Sequence, residues 1–102
     1  MRESQALLAF AALSQETRMR IVRKLVKAGD SGLASGALAE AMKTSPANIS
    51  FHLGQLESAG LVKSRRESRS IIYVANYEAL GALIQFLMED CCSSDARVLA
   101  CC

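Results

Sequence analysis

The stretch TSPANISFHLGQLESAG, residues 44–60, decides the fold. Thr44 and Ser45 stand before Pro46, and this order starts a helix. A hydroxyl oxygen accepts from an unpaired backbone N–H of the first turn, and proline at the first helical position loses no hydrogen bond. Ile49, Leu53 and Leu56, spaced i, i+4, i+7, make one apolar stripe, and Gly60, just beyond Ala59, supplies the stop. The opposite side holds Ala47, Asn48, Phe51 and Gln55, with Ser50 toward its flank. These groups are small or hydrogen-bonding, with one aromatic able to meet a thymine methyl, which is the chemistry that reads base edges in a major groove.

Before this helix, the spacing predicts a short helix from about Ser35, with Leu38 and Met42 facing inward, and a turn over Asp30–Gly32. Further back, Ser14 reads as an N-cap and Glu16 as a first-turn acid of a helix running to Gly29. Its apolar stripe is Met19, Val22, Leu25 and Val26, and its other face carries Arg18, Arg20, Arg23, Lys24 and Lys27. Ser4 to Leu13 is a first helix, with Leu7, Phe10 and Ala11 along one side.

After Gly60, two strand-like runs, Leu61–Arg66 and Ser70–Asn76, flank a tip at Glu67-Ser68-Arg69. Lys63, Arg65, Arg66 and Arg69 oppose a single Glu67 in this hairpin. Cations there neutralise phosphates; the alternative is an edge strand guarded by charge against aggregation. The last helix runs from Tyr77 to about Asp90, with Leu80, Leu83, Ile84, Leu87 and Met88 on one face, and this uninterrupted stripe predicts a dimer. The expected fold is mainly α with a β-hairpin, in the order H-H-H-H-E-E-H. Two short helices and a basic hairpin make a winged helix-turn-helix, its second helix fitting the major groove. The expected organisation is a DNA-binding and dimerisation domain over 1–90 and a cysteine-bearing tail over 91–102.

Composition agrees. The chain has 102 residues, 51% of them hydrophobic, with no Trp, two Tyr and three Phe, a supply suited to packed helices in one domain. Residues 1–76 carry 11 Lys/Arg against 6 Asp/Glu, a balance of +5, whereas 77–102 carry one Arg against four acids, a balance of −3. That asymmetry points to a polyanion partner for the first three quarters. No apolar run approaches the roughly 20 residues of a membrane span. Ala6–Leu13 imitates a signal-peptide core but follows Glu3 and no basic region, so a cytoplasmic location is expected. Cys91, Cys92, Cys101 and Cys102 crowd the last twelve residues and cannot staple the body; in a reducing compartment such thiols read as ligands or redox sensors.

Taken together, these motifs resemble the ArsR/SmtB family of metal-responsive repressors. Ala12-Leu13-Ser14-Gln15-Glu16-Thr17-Arg18-Met19-Arg20-Ile21 resembles its opening motif. Ile49-Ser50-Phe51-His52-Leu53, Leu56 and Ala59-Gly60-Leu61-Val62 resemble its recognition helix and the start of the wing. Arg65-Arg66-Glu67-Ser68-Arg69 with Ile72-Tyr73 resembles the wing itself. The resemblance implies a homodimer paired through the first and last helices, bound to an imperfectly palindromic double-stranded operator overlapping the promoter. Two residues depart from the pattern: Ser68 stands where glycine is common at the wing tip, and Gly54 where a lysine is common. His52, the only histidine, reads as a packing or groove-edge residue rather than a ligand.

Two of the family's sensor sites are missing. Ser35–Met42 contains no cysteine, and no histidine follows residue 52. Leu87-Met88-Glu89-Asp90-Cys91-Cys92 resembles instead the arsenite repressors with a vicinal cysteine pair after the last helix and another cysteine downstream. Trivalent arsenic takes three sulfurs in a pyramid. Adjacent Cys91 and Cys92 reach one arsenic, and the loop of eight residues returns a third thiolate from Cys101 or Cys102. Zinc is served better by Cys-x(2–4)-Cys spacing. A zinc-responsive or thiol-redox repressor of the same fold stays open, as does, from another class, an arsenic metallochaperone. An enzyme is not expected: a reactive thiolate needs basic neighbours, and Asp90 and Asp95 surround these cysteines with negative charge.

Overall fold

The structure, a computed structural model, describes residues 1–88 together with Arg97. Helix α1 spans Glu3–Leu13, α2 Glu16–Ala28, α3 Ser35–Ala41, α4 Pro46–Ser58 and α5 Tyr77–Met88. Strand β1 is Leu33–Ala34, β2 Val62–Glu67 and β3 Ser70–Ala75, giving the order H-H-E-H-H-E-E-H. The expected winged helix-turn-helix is there, with one addition. Short β1 joins the hairpin to make a three-stranded antiparallel sheet ordered β1-β3-β2. Leu33 lies opposite Tyr73 and Ala34 opposite Ile72, so β3 is the central strand. The end of α5 beyond Met88 and the tail over 91–102, Arg97 excepted, lie outside the described residues.

Local chemistry sets the boundaries. Ser45 caps α4 as expected, its Oγ accepting from Asn48 N at 3.1 Å, with Pro46 at the helix start. The cap of α2 is Gln15 rather than Ser14: Gln15 Oε1 accepts from Arg18 N at 2.8 Å. Ser14 closes α1 instead, its Oγ donating to Ala11 O. Gly29 ends α2 at φ 70° and Gly60 follows α4 at φ 79°, both in the left-handed region where glycine meets no Cβ clash.

Ile21 and Leu25 of α2, Leu38 of α3, Ile49, Leu53 and Leu56 of α4, and Leu61 are fully buried. Each contributes about 1.5–3 kcal/mol by leaving water. The predicted α4 stripe is thus the centre of the core. The predicted α2 stripe is displaced: Val22 and Leu25 are inside with Ile21, while Met19 and Val26 are exposed. In α1 the side turned to the core is Ala6, Ala9 and Ala12, where small residues let helices approach closely, and Leu7, Phe10 and Ala11 face away.

Gly32 holds the new strand to the sheet. Its φ is 64°, and a Cβ there would stand 2.4 Å from Tyr73 O and 2.7 Å from Ile72 Cγ2 and Val74 Cγ1. Gly32→Ala therefore combines a left-handed residue with a clash against central-strand backbone, and should cost on the order of 2–4 kcal/mol. At roughly 4–8 °C per kcal/mol for a domain of this size, thermal unfolding should show a midpoint lower by ten degrees or more. Gly36→Ala, in α3 with open space around it, should not lower it.

Candidate nucleic-acid interface

Burying Ile49, His52, Leu53 and Leu56 turns the other side of α4 to solvent. Ala47, Asn48, Ser50, Phe51 and Gln55 are all exposed, so every residue proposed for base reading is available. Phe51 is 60% exposed, an unusual position for a large aromatic that belongs to no core. Asn48 Nδ2 donates to Thr44 Oγ1 at 3.0 Å, which ties the amide to the helix start. At 100° per residue, Ser58 falls between Ala47 and Phe51 and Gly54 between Ser50 and Ala47, both on this face. Sequence reasoning noted Gly54 only for the lysine it lacks. Its missing side chain leaves open space above the helix backbone.

His52 does not join them. It is only 8% exposed, and its ring meets Phe51 edge-on with centroids 5.3 Å apart. Its Nδ1 is buried without a hydrogen-bond partner. Burial, and then the neighbouring Arg18 charge, push the imidazole below its usual 6.5. The neutral ring is the one that fits, so its contribution to stability is complete above pH 6.5 and is lost as pH falls through the lowered pKa. His52→Leu should lose less stability than the parent when denaturant unfolding is compared at neutral and mildly acidic pH. Equal losses would place the acid sensitivity elsewhere. Arg18 itself is tied down, its Nε donating to Ala12 O at 2.9 Å and joining α1 to α2.

The wing is β2, Ser68-Arg69 and β3, registered so that Arg66 lies opposite Ile71 and Glu67 opposite Ser70. Ser68 takes φ 57°, the left-handed conformation expected at the position where glycine is usual. Arg66 and Arg69 are exposed near the tip, with Arg66 Nε donating to Ser68 O at 3.4 Å. Arg65 has a different task. Its guanidinium donates to Asp30 O at 2.9 Å and Ser31 O at 3.1 Å, and it pairs with Glu67. It fastens the wing to the turn after α2, so the cations left for phosphates in the hairpin are Lys63, Arg66 and Arg69. At the base, Asn76 donates to Gly60 O at 2.9 Å and accepts from Ala79 N at 3.2 Å, joining the start of the wing to α5. The sequence reading placed Asn76 in the strand and missed this role.

Away from α4 and the wing, α1 exposes Leu7 and Leu8, and α5 exposes Ile84 (56%) and Leu87 (64%). Of the predicted α5 stripe only Leu83 is fully inside, with Leu80 packed against the core. Among the described residues no group of three His, Cys, Asp or Glu is arranged to hold a metal ion. Cys91, Cys92, Cys101 and Cys102 lie outside the described residues. No helix among the described residues is long and apolar enough to cross a membrane.

Comparison with known proteins agrees with this geometry. Residues 13–65 match the model of a helix-turn-helix domain family. Over 92 residues the chain is 27% identical to the transcriptional activator HlyU of Vibrio cholerae, covering 90% of this chain and 82% of that protein. Over 88 residues it is 31% identical to the HTH-type transcriptional regulator YgaV of Escherichia coli, covering 86% and 87%. An ArsR-like transcriptional regulator from Rhodococcus sp. RHA1 superposes with a TM-score of 0.77 at 32% identity, over 95% of this chain and 89% of that one. The homodimeric winged helix-turn-helix DNA-binding domain of Mb0332 from Mycobacterium bovis does so with a TM-score of 0.70 at 27% identity, over 91% and 86%.

Proposed function

The chain belongs to the ArsR-like family of helix-turn-helix transcriptional regulators, a DNA-binding family and not an enzyme family, and from that premise we propose that it is a dimeric repressor released from its operator by trivalent arsenic. The observation that carries the DNA half is the exposed face of α4 beside a cationic wing: Ala47, Asn48, Ser50, Phe51 and Gln55 read bases, while Arg66 and Arg69 hold phosphates. A dimer presents two such heads, which is why the operator is a palindrome.

The dimer forms through α1 and α5. Leu7, Leu8, Ile84 and Leu87 are each more than half exposed in one chain, and a second copy covering them removes a large apolar area from water. The related Mb0332 domain is a homodimer. Sedimentation should give a dimer at micromolar concentration and a monomer for Leu87→Glu, whereas a monomeric parent would rule the arrangement out.

The sensing half rests on the donor set. Cys91 and Cys92 follow Met88, the last described residue of α5, by three and four positions, and Cys101 and Cys102 follow later. Four thiols and no histidine make a soft set suited to arsenic. Ligation by Cys91, Cys92 and one of Cys101 or Cys102 ties together the chain that follows the interface helix, and so alters the spacing of the two heads. A difference of about 1–3 kcal/mol between states changes operator affinity 5–150-fold, and only the difference matters. Fluorescence-anisotropy titration of promoter DNA, repeated with arsenite and with zinc, tests both halves. Tight binding lost with arsenite alone is expected; loss with zinc or with a thiol oxidant instead would transfer the sensing to those agents.

A further inference from the structure

Five of the twelve Lys/Arg of the chain line one groove beside α2. Arg20, Arg23, Lys24 and Lys27 of α2 face Ala41, Met42 and Lys43 at the end of α3 across a concavity of about 430 Å³. No acid lines it. Arg20 pairs with Glu16 at its margin, and among the described residues Arg23, Lys24, Lys27 and Lys43 have no acidic partner. Packing does not require this concentration of charge, because all five side chains are exposed.

The groove touches the reading head. Lys43 sits two residues before the Ser45 cap of α4, so at about 3.3–3.6 Å per residue it lies within roughly 7 Å of the helix start. Lys43 also takes φ 53°, at a position closing α3 where glycine would be free of strain, and so keeps a cation at the turn. Helix α4 itself contains no Lys or Arg, and Arg65 of the wing is bound to the carbonyls of Asp30 and Ser31. Of the groove's cations, Lys43 is the one placed beside the start of the reading helix.

We propose that the groove between α2 and the α3–α4 turn holds the DNA phosphodiester backbone flanking the major groove that α4 reads. From Arg20 to Lys27 the helix rises roughly 10 Å, which matches about three nucleotides of one strand at 3.4 Å each. The inference rests on the DNA-binding reading of α4 and adds a second, sequence-independent anchor besides the wing.

The test is a salt series of anisotropy titrations on a random-sequence duplex of about four helical turns. It compares the parent, Arg23→Ala/Lys24→Ala/Lys27→Ala, and Arg66→Ala/Arg69→Ala. All these side chains are exposed, and unchanged circular dichroism and thermal midpoints will establish that the variants fold. Each lost phosphate contact flattens the slope of log K against log salt by about 0.9, so the three-cation groove variant should lose about 2.7 units and bind at least tenfold more weakly at physiological salt. If it matches the parent while the wing variant weakens, the groove proposal is overturned and the DNA-binding reading stands. If the parent itself does not bind duplex DNA, both fall. If inorganic tripolyphosphate raises the thermal midpoint of the parent but not of the groove variant, and duplex affinity is unchanged by the substitutions, the groove is a small-anion site and the proposal is again overturned.

Discussion

With Arg66 and Arg69 both changed to alanine, affinity is expected to fall about 30-fold at physiological salt, and by a similar factor for every DNA sequence. The size follows from two lost phosphate contacts, each contributing about 0.9 to the salt slope. The uniformity follows from their chemistry: a guanidinium on a phosphate sees no base. Neither side chain packs in the core, so stability should be unaffected. Changes at Asn48 or Ser50 should do the reverse, reordering the preference among operator variants by about 1–3 kcal/mol per well-formed base contact while leaving the salt slope unchanged. Normal binding by the wing double variant at physiological salt would remove the hairpin from the interface.

The second large effect concerns induction. Cys91→Ser and Cys92→Ser should each bind the operator like the parent and fail to release it with arsenite, so that an affinity ratio of 5–150 falls to about one. One further thiolate completes the set, because arsenite has three exchangeable oxygens and its lone pair occupies the remaining position. Cys101 is slightly favoured over Cys102, since one residue less of chain is ordered. Single serine changes at 101 and 102 should then differ sharply, unless the two replace one another, in which case only the double change is insensitive. X-ray absorption should report about three sulfur neighbours and no light-atom ligand. Parent-like responses from both Cys91→Ser and Cys92→Ser would sink the sensing assignment and leave the DNA-binding one intact.

Some of this was legible from residues 44–60 alone. A hydroxyl cap, a proline and a seven-residue apolar rhythm define α4, and its exposed face is then whatever the rhythm leaves over. Ser68 at φ 57° was likewise readable, because the resemblance puts it at the wing-tip position where glycine is common. Strand β1 was not: Leu33–Ala34 is two residues long and has no period to detect. In α1 the larger side chains mark the exposed side, and the inward side, Ala6, Ala9 and Ala12, has no bulky residue to signal it. Met19 and Val26 mislead in α2 because seven-residue spacing identifies a stripe without saying which edge of it is covered. Arg65 escaped because counting cations treats all arginines alike, and only the fold brings the Asp30 and Ser31 carbonyls to it across more than thirty residues.

The Arg65 fastening has a mechanical consequence. The wing is bolted to the end of α2 and Asn76 braces its base; in the proposed dimer each protomer would therefore meet DNA as a stiff jaw, leaving the seam between protomers as the joint that can move. The pair then behaves as a caliper whose opening must match one turn of duplex, about 34–36 Å. An inducer acting at α5 need not disturb a single contact inside either jaw; altering the gap is enough. A solitary half-site, which never feels the gap, should be gripped equally well with the inducer bound and without it.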